Sequence, residues 1–179
     1  LGKKGGYGLK QRITSLYVIS PHTKAIYRNE HSYYRSRIME SGRAEKMSIH
    51  KPEQILDNSC LIYGSSLEGR RLAVKDILDS SSKLPVPVIP DKGVFMMPTA
   101  SVKNKNNVWL TYHHIYGFEE NKSGTYVTFF DGSGIQLDIS MNTFDLQYKR
   151  TSQVIVHLNR TFLFGQSKFP IPRSRLKRL

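Results

Sequence analysis

Thr125-Tyr-Val-Thr-Phe-Phe130, Asp131-Gly-Ser-Gly134, Ile135-Gln-Leu-Asp-Ile139 and Ser140 follow one another without interruption. Two runs rich in β-branched and aromatic residues enclose an Asp-Gly-Ser-Gly turn, where glycine supplies the positive φ that tight hairpins need. Ser140 is a residue type that caps a helix by accepting a first-turn N–H. Behind it, Met141 to about Leu158 carries Phe144, Tyr148, Val154, Ile155 and Leu158 at roughly helical spacing. A hairpin that feeds a long amphipathic helix predicts an antiparallel sheet with helices packed on it, which is the α+β class.

Upstream, Val108-Trp-Leu-Thr-Tyr-His-His-Ile115 reads as a strand, as do Val94-Phe-Met-Met97 and Val86-Pro-Val-Ile89. Ser101 to Asn107 is a polar loop, and residues 80–86 are a connector. Lys51 to Ile62 reads as a helix with Pro52 in its first turn, where a missing N–H costs nothing. Its expected apolar face is Ile55, Leu56, Cys60 and Leu61. Gly64 stops it, and Ser65 or Ser66 caps a second helix through Ile77, with Leu67, Leu72, Val74 and Ile77 available for burial. Ile13–Ile19, Lys24–Arg28 and Tyr33–Ile38 are expected as three further strands. Residues 1–10 read as loose, and the tail from Phe162 as unlike a unit that folds alone. The expectation is a single α+β domain with a mainly antiparallel β-sheet and about three helices. Residues 1–50 form a basic β-rich segment packed on or extending a core of 51–160, and 161–179 form a basic tail.

The charge is uneven. The chain has 179 residues with 27 Lys/Arg against 14 Asp/Glu, a net +13. Residues 1–50 hold ten of those cations against three acids, residues 160–179 hold six against none, and the middle is neutral. Basic flanks on a neutral body suit a polyanion, and nucleic acid is the commonest. With 39% hydrophobic and 11% aromatic residues there is material for a core. The single cysteine, Cys60, excludes an internal disulfide framework and Cys-rich zinc sites. No apolar run approaches the roughly 18–20 residues of a membrane span. No signal-peptide pattern follows the first lysines, so the expectation is a soluble, cytoplasmic protein with no membrane partner.

Gly64-Ser-Ser-Leu-Glu-Gly-Arg-Arg71 is the most unusual local stretch. A helix start with two hydroxyls and two arginines one turn later can grip phosphates, and it also describes a capped surface helix with solvated arginines. Lys103-Asn-Lys-Asn-Asn107 offers lysines for phosphate and amides for base edges, or is a solvated loop. His113 and His114, adjacent on a strand, are expected to diverge to opposite faces and so make a poor pair of metal ligands. Glu119, Glu120 and Asp138 have no spacing specific to a nuclease metal site. Cys60 reads as a packed thiol rather than a nucleophile. With no GxGxxG after a strand and no GxxxxGK[ST], no cofactor and no catalytic or metal site is expected.

The stretch Asp57-Asn-Ser-Cys-Leu-Ile-Tyr-Gly-Ser-Ser-Leu-Glu-Gly-Arg70 resembles the signature of the ComK family of bacterial competence transcription factors: Ser-Cys, a short gap, Gly-Ser-Ser, then Gly-Arg. Phe95-Met-Met-Pro-Thr-Ala-Ser101, Trp109 with His114-Ile115, Val127 to Gly134, Asp138 to Phe144 and Lys149-Arg-Thr151 follow the family pattern in order. The resemblance implies a sequence-specific activator of DNA-uptake genes that recognises A/T-rich promoter boxes in double-stranded DNA. It also implies self-association as a dimer or dimer of dimers on paired boxes, a meeting with RNA polymerase, and control by an adaptor-protease complex. The implied setting is the bacterial cytoplasm, on the nucleoid. Under it, residues 51–160 are the DNA-binding core. The candidate contacts are Ser65, Ser66, Arg70, Arg71 and Lys75 on the second helix, Lys103, Asn104 and Lys105 in the loop, and Lys149 and Arg150 on the long helix. Reading A/T-rich DNA in the minor groove would use such Arg, Lys or Asn side chains. Two other classes stay open: a sequence-indifferent RNA-binding protein, and a small metal-dependent nuclease using His114 and Asp138.

Overall fold

A computed structural model describes residues 11–165. Strands β1 (Gln11–Ile13), β2 (Thr23–Arg28), β3 (Ser36–Glu40) and β4 (Lys46–Ser48) precede helices α1 (Pro52–Ile62) and α2 (Leu67–Leu78). Strands β5 (Val86–Ile89), β6 (Val94–Pro98), β7 (Val108–Thr111), β8 (Ile115–Asn121), β9 (Gly124–Phe129) and β10 (Gly134–Leu137) follow, and then helices α3 (Met141–Leu158) and α4 (Arg160–Phe164). The fold is α+β. Seven strands form one sheet in the order β1-β4-β3-β2-β7-β6-β5, and β10-β9-β8 form a second. Every pairing is antiparallel except β1 with β4.

The large sheet is covered on both faces, which explains why β5, β6 and β7 are buried along their whole length. Because strand side chains alternate, Ile26, Met96 and Trp109 face one way and join Ile55, Leu56 and Cys60 of α1 in one core cluster. Their neighbours Ala25, Met97 and Leu110 face the other way and pack with Val127, Phe129 and Leu137 of the small sheet and Phe144 of α3. Val74 of α2, Phe95 of β6 and Val154 of α3 make a third cluster. The hairpin Thr125–Ile139 and the long helix stand where the sequence puts them, with Ser140 Oγ accepting the Thr143 N–H at 3.3 Å.

Several expectations are corrected. Residues 14–22 are not the strand expected over Ile13–Ile19. Tyr17 and Ile19 are buried there by side-chain bonds instead of a ladder: the Tyr17 hydroxyl donates to Glu40 at 2.6 Å, and the Ile19 N–H donates to Ser59 Oγ at 2.9 Å. The third strand begins later, at Ser36, and ends at Glu40. Strand Val108–Ile115 breaks at Thr111, and a single turn over 112–114 leads into the unexpected β8. Leu61 and Leu72 are exposed, at 58% and 57%. The buried stripe of α1 runs through Ile55, Leu56, Ser59 and Cys60 and leaves Leu61 a step round the helix; in α2 it runs from Leu67 to Val74 and misses Leu72. A fourth helix, α4, begins at Arg160 and takes in Phe162, which had read as tail. Residues 1–10 and 166–179, read as loose and as basic tail, lie outside the described residues.

One ion pair crosses between the sheets. Lys24 of β2, 3% exposed, meets Asp131 of the β9–β10 turn at 2.6 Å and Ser133 Oγ at 2.6 Å, with its ammonium 5.1 Å from the centre of the Phe129 ring.

Candidate nucleic-acid interface

The α1–α2 corner is built by the residues that made the sequence distinctive. Gly64, at φ +82°, takes the left-handed conformation that ends α1. Ser66 is the N-cap of α2 and accepts the Gly69 N–H at 2.9 Å. A Cβ at residue 69 would sit 3.2 Å from both serine hydroxyls, so glycine fits that turn best. Asp57 accepts the Leu67 N–H at 3.2 Å, a second first-turn donor satisfied from α1. Arg70 reaches back and donates to the Tyr63 carbonyl at 3.1 Å, at the end of α1. Cys60 is fully buried beneath this corner, and burial pushes its thiol up to about 11. Asp57, Cys60, Gly64, Ser66, Gly69 and Arg70 thus hold the two helices together. Ser66 and Arg70 have intramolecular work, and the Ser65 hydroxyl donates to the Ser66 carbonyl at 3.4 Å while its N–H donates to the Cys60 carbonyl at 3.0 Å.

Arg71 faces elsewhere. With Lys75, one helical turn on, it lines an open groove of about 510 Å³ whose other walls are the 81–84 connector and the start of the 101–107 loop. Lys83 and Lys103 enter the same groove, so four cations from three separate elements share it with one acid, Glu68. The Arg71 Nη2 is buried and has no hydrogen-bond partner among the described residues. Fixed cations of one sign in a concave surface focus the field outward and attract anions. Lys83 escaped the sequence reading because it sits in a Ser-rich connector with no periodicity; it adopts a left-handed φ of +49°.

The loop behind Lys103 is pinned at its base. Val108 N–H donates to Thr99 Oγ1 at 2.9 Å, buried Asn107 accepts the Ala100 N–H at 3.0 Å, and Asn106 donates to Asp138 at 3.2 Å. Its tip exposes Lys103, Asn104, Lys105 and Asn106. Lys105 does not enter the groove with Lys103. It lines a second cleft of about 630 Å³ with Arg28, Asn29, Glu30 and Asn106, in which Arg28 is already paired with Glu53 at 3.0 Å.

The remaining candidates separate from this surface. Lys149 is 72% exposed and pairs with Asp145 at 2.6 Å, four residues back on α3; such pairs contribute little. Arg150 donates to Ser80 Oγ at 2.8 Å and to the Ser82 carbonyl at 2.9 Å, bracing the connector against α3. Burial lowers the basicity of its guanidinium. Neither lines the Arg71 groove. His113 and His114 do not diverge: the turn at 112–114 sets their rings 4.2 Å apart, with both Nε2 atoms on the Pro21 carbonyl at 3.1 and 2.8 Å. Burial lowers the pKa of His114. Among the described residues no three His, Cys, Asp or Glu side chains cluster as a metal site would. No helix there is long and apolar enough to cross a membrane.

Comparison with known proteins adds three findings. The family model described as ComK protein matches residues 14–162. The competence transcription factor of Bacillus subtilis (strain 168) is 36% identical over 103 residues, which is 57% of this chain and 54% of that protein. The matched part therefore spans about half of that relative's length. No solved structure matches the chain significantly. The family match begins just after β1, crosses both sheets and the α1–α2 corner, and ends inside α4; the chain belongs to the ComK family.

Proposed function

We propose that this protein is a sequence-specific DNA-binding transcription regulator, an activator of DNA-uptake genes that recognises A/T-rich boxes in promoter duplexes. The observation that carries the reading is the convergence of Arg71, Lys75, Lys83 and Lys103 on one groove in a ComK-family chain. In this reading the groove takes the phosphate backbone of one strand, with Arg71 and the three lysines as its cations. The α1–α2 corner, Ser66 and Arg70 included, holds Arg71 and Lys75 in place. Lys149 stays an outlying backbone contact, and Arg150 supports the connector that carries Lys83. Self-association on paired boxes, contact with RNA polymerase and adaptor-linked proteolysis belong to the same proposal. The reading gives the chain no catalytic role, and in it His114, bonded to the Pro21 carbonyl, and Asp138, bonded to Asn106, serve the fold.

Footprinting on duplexes with two A/T-rich boxes at varied spacing tests it. Protection is expected over the boxes alone, with cooperative occupancy at a preferred spacing. Uniform protection, preferential capture by single-stranded RNA, or strand cleavage on incubation with Mg²⁺ or Mn²⁺ would each refute it.

A further inference from the structure

Lys103 and Lys105 are two residues apart yet line different clefts, one on each side of the 101–107 loop. Asn104 is the residue between them. The loop is therefore a ridge with a cation on each flank and an amide on its crest. From this arrangement, and resting on the reading of the chain as a DNA-binding regulator, we infer that the ridge enters a groove of the duplex. The phosphates of one strand lie in the Arg71–Lys103 groove, those of the other lie against Lys105 on the far flank, and Asn104 reads base edges between them.

The hydrogen bonds of the loop give the crest its chemistry. Asn104 Oδ1 accepts the Asn106 N–H at 2.9 Å, an internal turn that directs the oxygen toward the loop. The Asn104 N–H donates to the Ser101 carbonyl at 2.8 Å, and its carbonyl accepts the Asn107 N–H at 3.1 Å. The side chain's Nδ2 amide, a pure donor, has no partner among the described residues, while Oδ1 keeps one lone pair beside its bond to Asn106. With a lysine on either side, the crest presents a row of side-chain donors. Such a row meets the adenine N3 and thymine O2 acceptors of an A·T pair and is opposed by the guanine 2-amino group, itself a donor. The pinned base of the loop keeps the ridge in shape before binding, so little ordering is required on contact. The roles then divide: Arg71, Lys75, Lys83, Lys103 and Lys105 contact phosphates and Asn104 specifies sequence.

The test measures two independent quantities by competition anisotropy, the A/T-box to G/C-duplex affinity ratio and the slope of log K against log salt. Asn104→Ala and Asn104→Asp are compared with wild type. The aspartate keeps the Oδ1 acceptor for Asn106 and so preserves the turn while removing the donor. Both variants are expected to lose about tenfold in the A/T to G/C ratio, with a thermal midpoint close to wild type. Lys103→Ala and Lys105→Ala are each expected to lower the salt slope by about 0.9 and leave the ratio unchanged. If wild type shows a clear A/T preference and both Asn104 variants retain it, the ridge does not read bases and the inference fails while the functional reading stands. If wild type itself shows no preference, the functional reading fails. A ratio that falls in the lysine variants with no change in slope would also overturn the division of roles.

Discussion

Replacing Asp131 with Asn removes the counter-ion of Lys24, whose ammonium is buried between the two sheets and held by Asp131 and Ser133 at 2.6 Å each. The Ser133 hydroxyl stays within reach, but the charge is left unpaired. Breaking a fully buried pair by removing one partner costs about 3–5 kcal/mol. The Asp131 side chain is 23% exposed, so water relieves part of that cost, and we expect about 2–4 kcal/mol. In a domain of this size that lowers the thermal midpoint by about 5–15 °C. The pH dependence has a definite sign. Hydrogen bonds from Lys24 and Ser133 outweigh desolvation and hold the Asp131 carboxyl well below its usual range. Its stabilisation is therefore complete above the unfolded pKa of about 3.9 and is lost as pH falls through the lower folded value. Urea unfolding followed by tryptophan fluorescence, from pH 8 to pH 3, measures the difference between wild type and Asp131→Asn. That difference should be flat down to about pH 5 and shrink below about pH 4. Adding Lys24→Met to Asp131→Asn should recover stability, because the stranded cation is gone. A variant within about 0.5 kcal/mol of wild type at pH 7, or a difference that grows with acid, would refute the reasoning.

Arg150→Ala removes the hydrogen bonds to Ser80 and the Ser82 carbonyl. It should cost about 1–3 kcal/mol of stability by denaturant titration, with a smaller loss of DNA affinity than Arg71→Ala. Because Cys60 is fully buried and its pKa is pushed up to about 11, a chromogenic thiol reagent should react with it at neutral pH only as fast as the protein opens, and at full rate in urea. Arg71→Ala with Lys75→Ala should lower the salt slope of DNA binding by about 1.8 without unfolding the domain, as checked by circular dichroism. Deleting residues 173–179, which carry four Lys/Arg, should lower the same slope by up to about 3.6 and spare the A/T preference.

The elements legible in the sequence were those whose ends carry their own chemistry. Asp131-Gly-Ser-Gly134 and the Ser140 cap fixed the β9–β10 hairpin and α3 because turn and cap act over a few residues. Strand β8 was not legible: Gly117 and the irregular register between Ile115 and Gly117 break the alternation, and the exposed pair Glu119-Glu120 hides it further. The segment holding Tyr17 and Ile19 has the composition of a strand but is bonded through Glu40 and Ser59, partners 23 and 40 residues away. The site divides in the same manner. Arg71 and Lys75 share a helix face by simple spacing, whereas their meeting with Lys83 and Lys103 depends on how the connector and the loop pack. The His113–His114 pair was misplaced for a related reason, since nothing local announces that β7 ends at Thr111. Arg150 carries the appearance of a free cation until the fold brings Ser80 and Ser82 to it.

The central claim is that this ComK-family chain reads A/T-rich duplex while gripping its backbone through the Arg71 groove. The most direct measurement is the affinity of the intact protein for an A/T-box duplex and a G/C duplex of equal length, across a salt series. The account predicts two parallel lines of log K against log salt, since the phosphate contacts are shared. A constant offset of about a thousandfold or more should favour the A/T box, as sequence-specific binders show over their non-specific sites. Two coincident lines would contradict it.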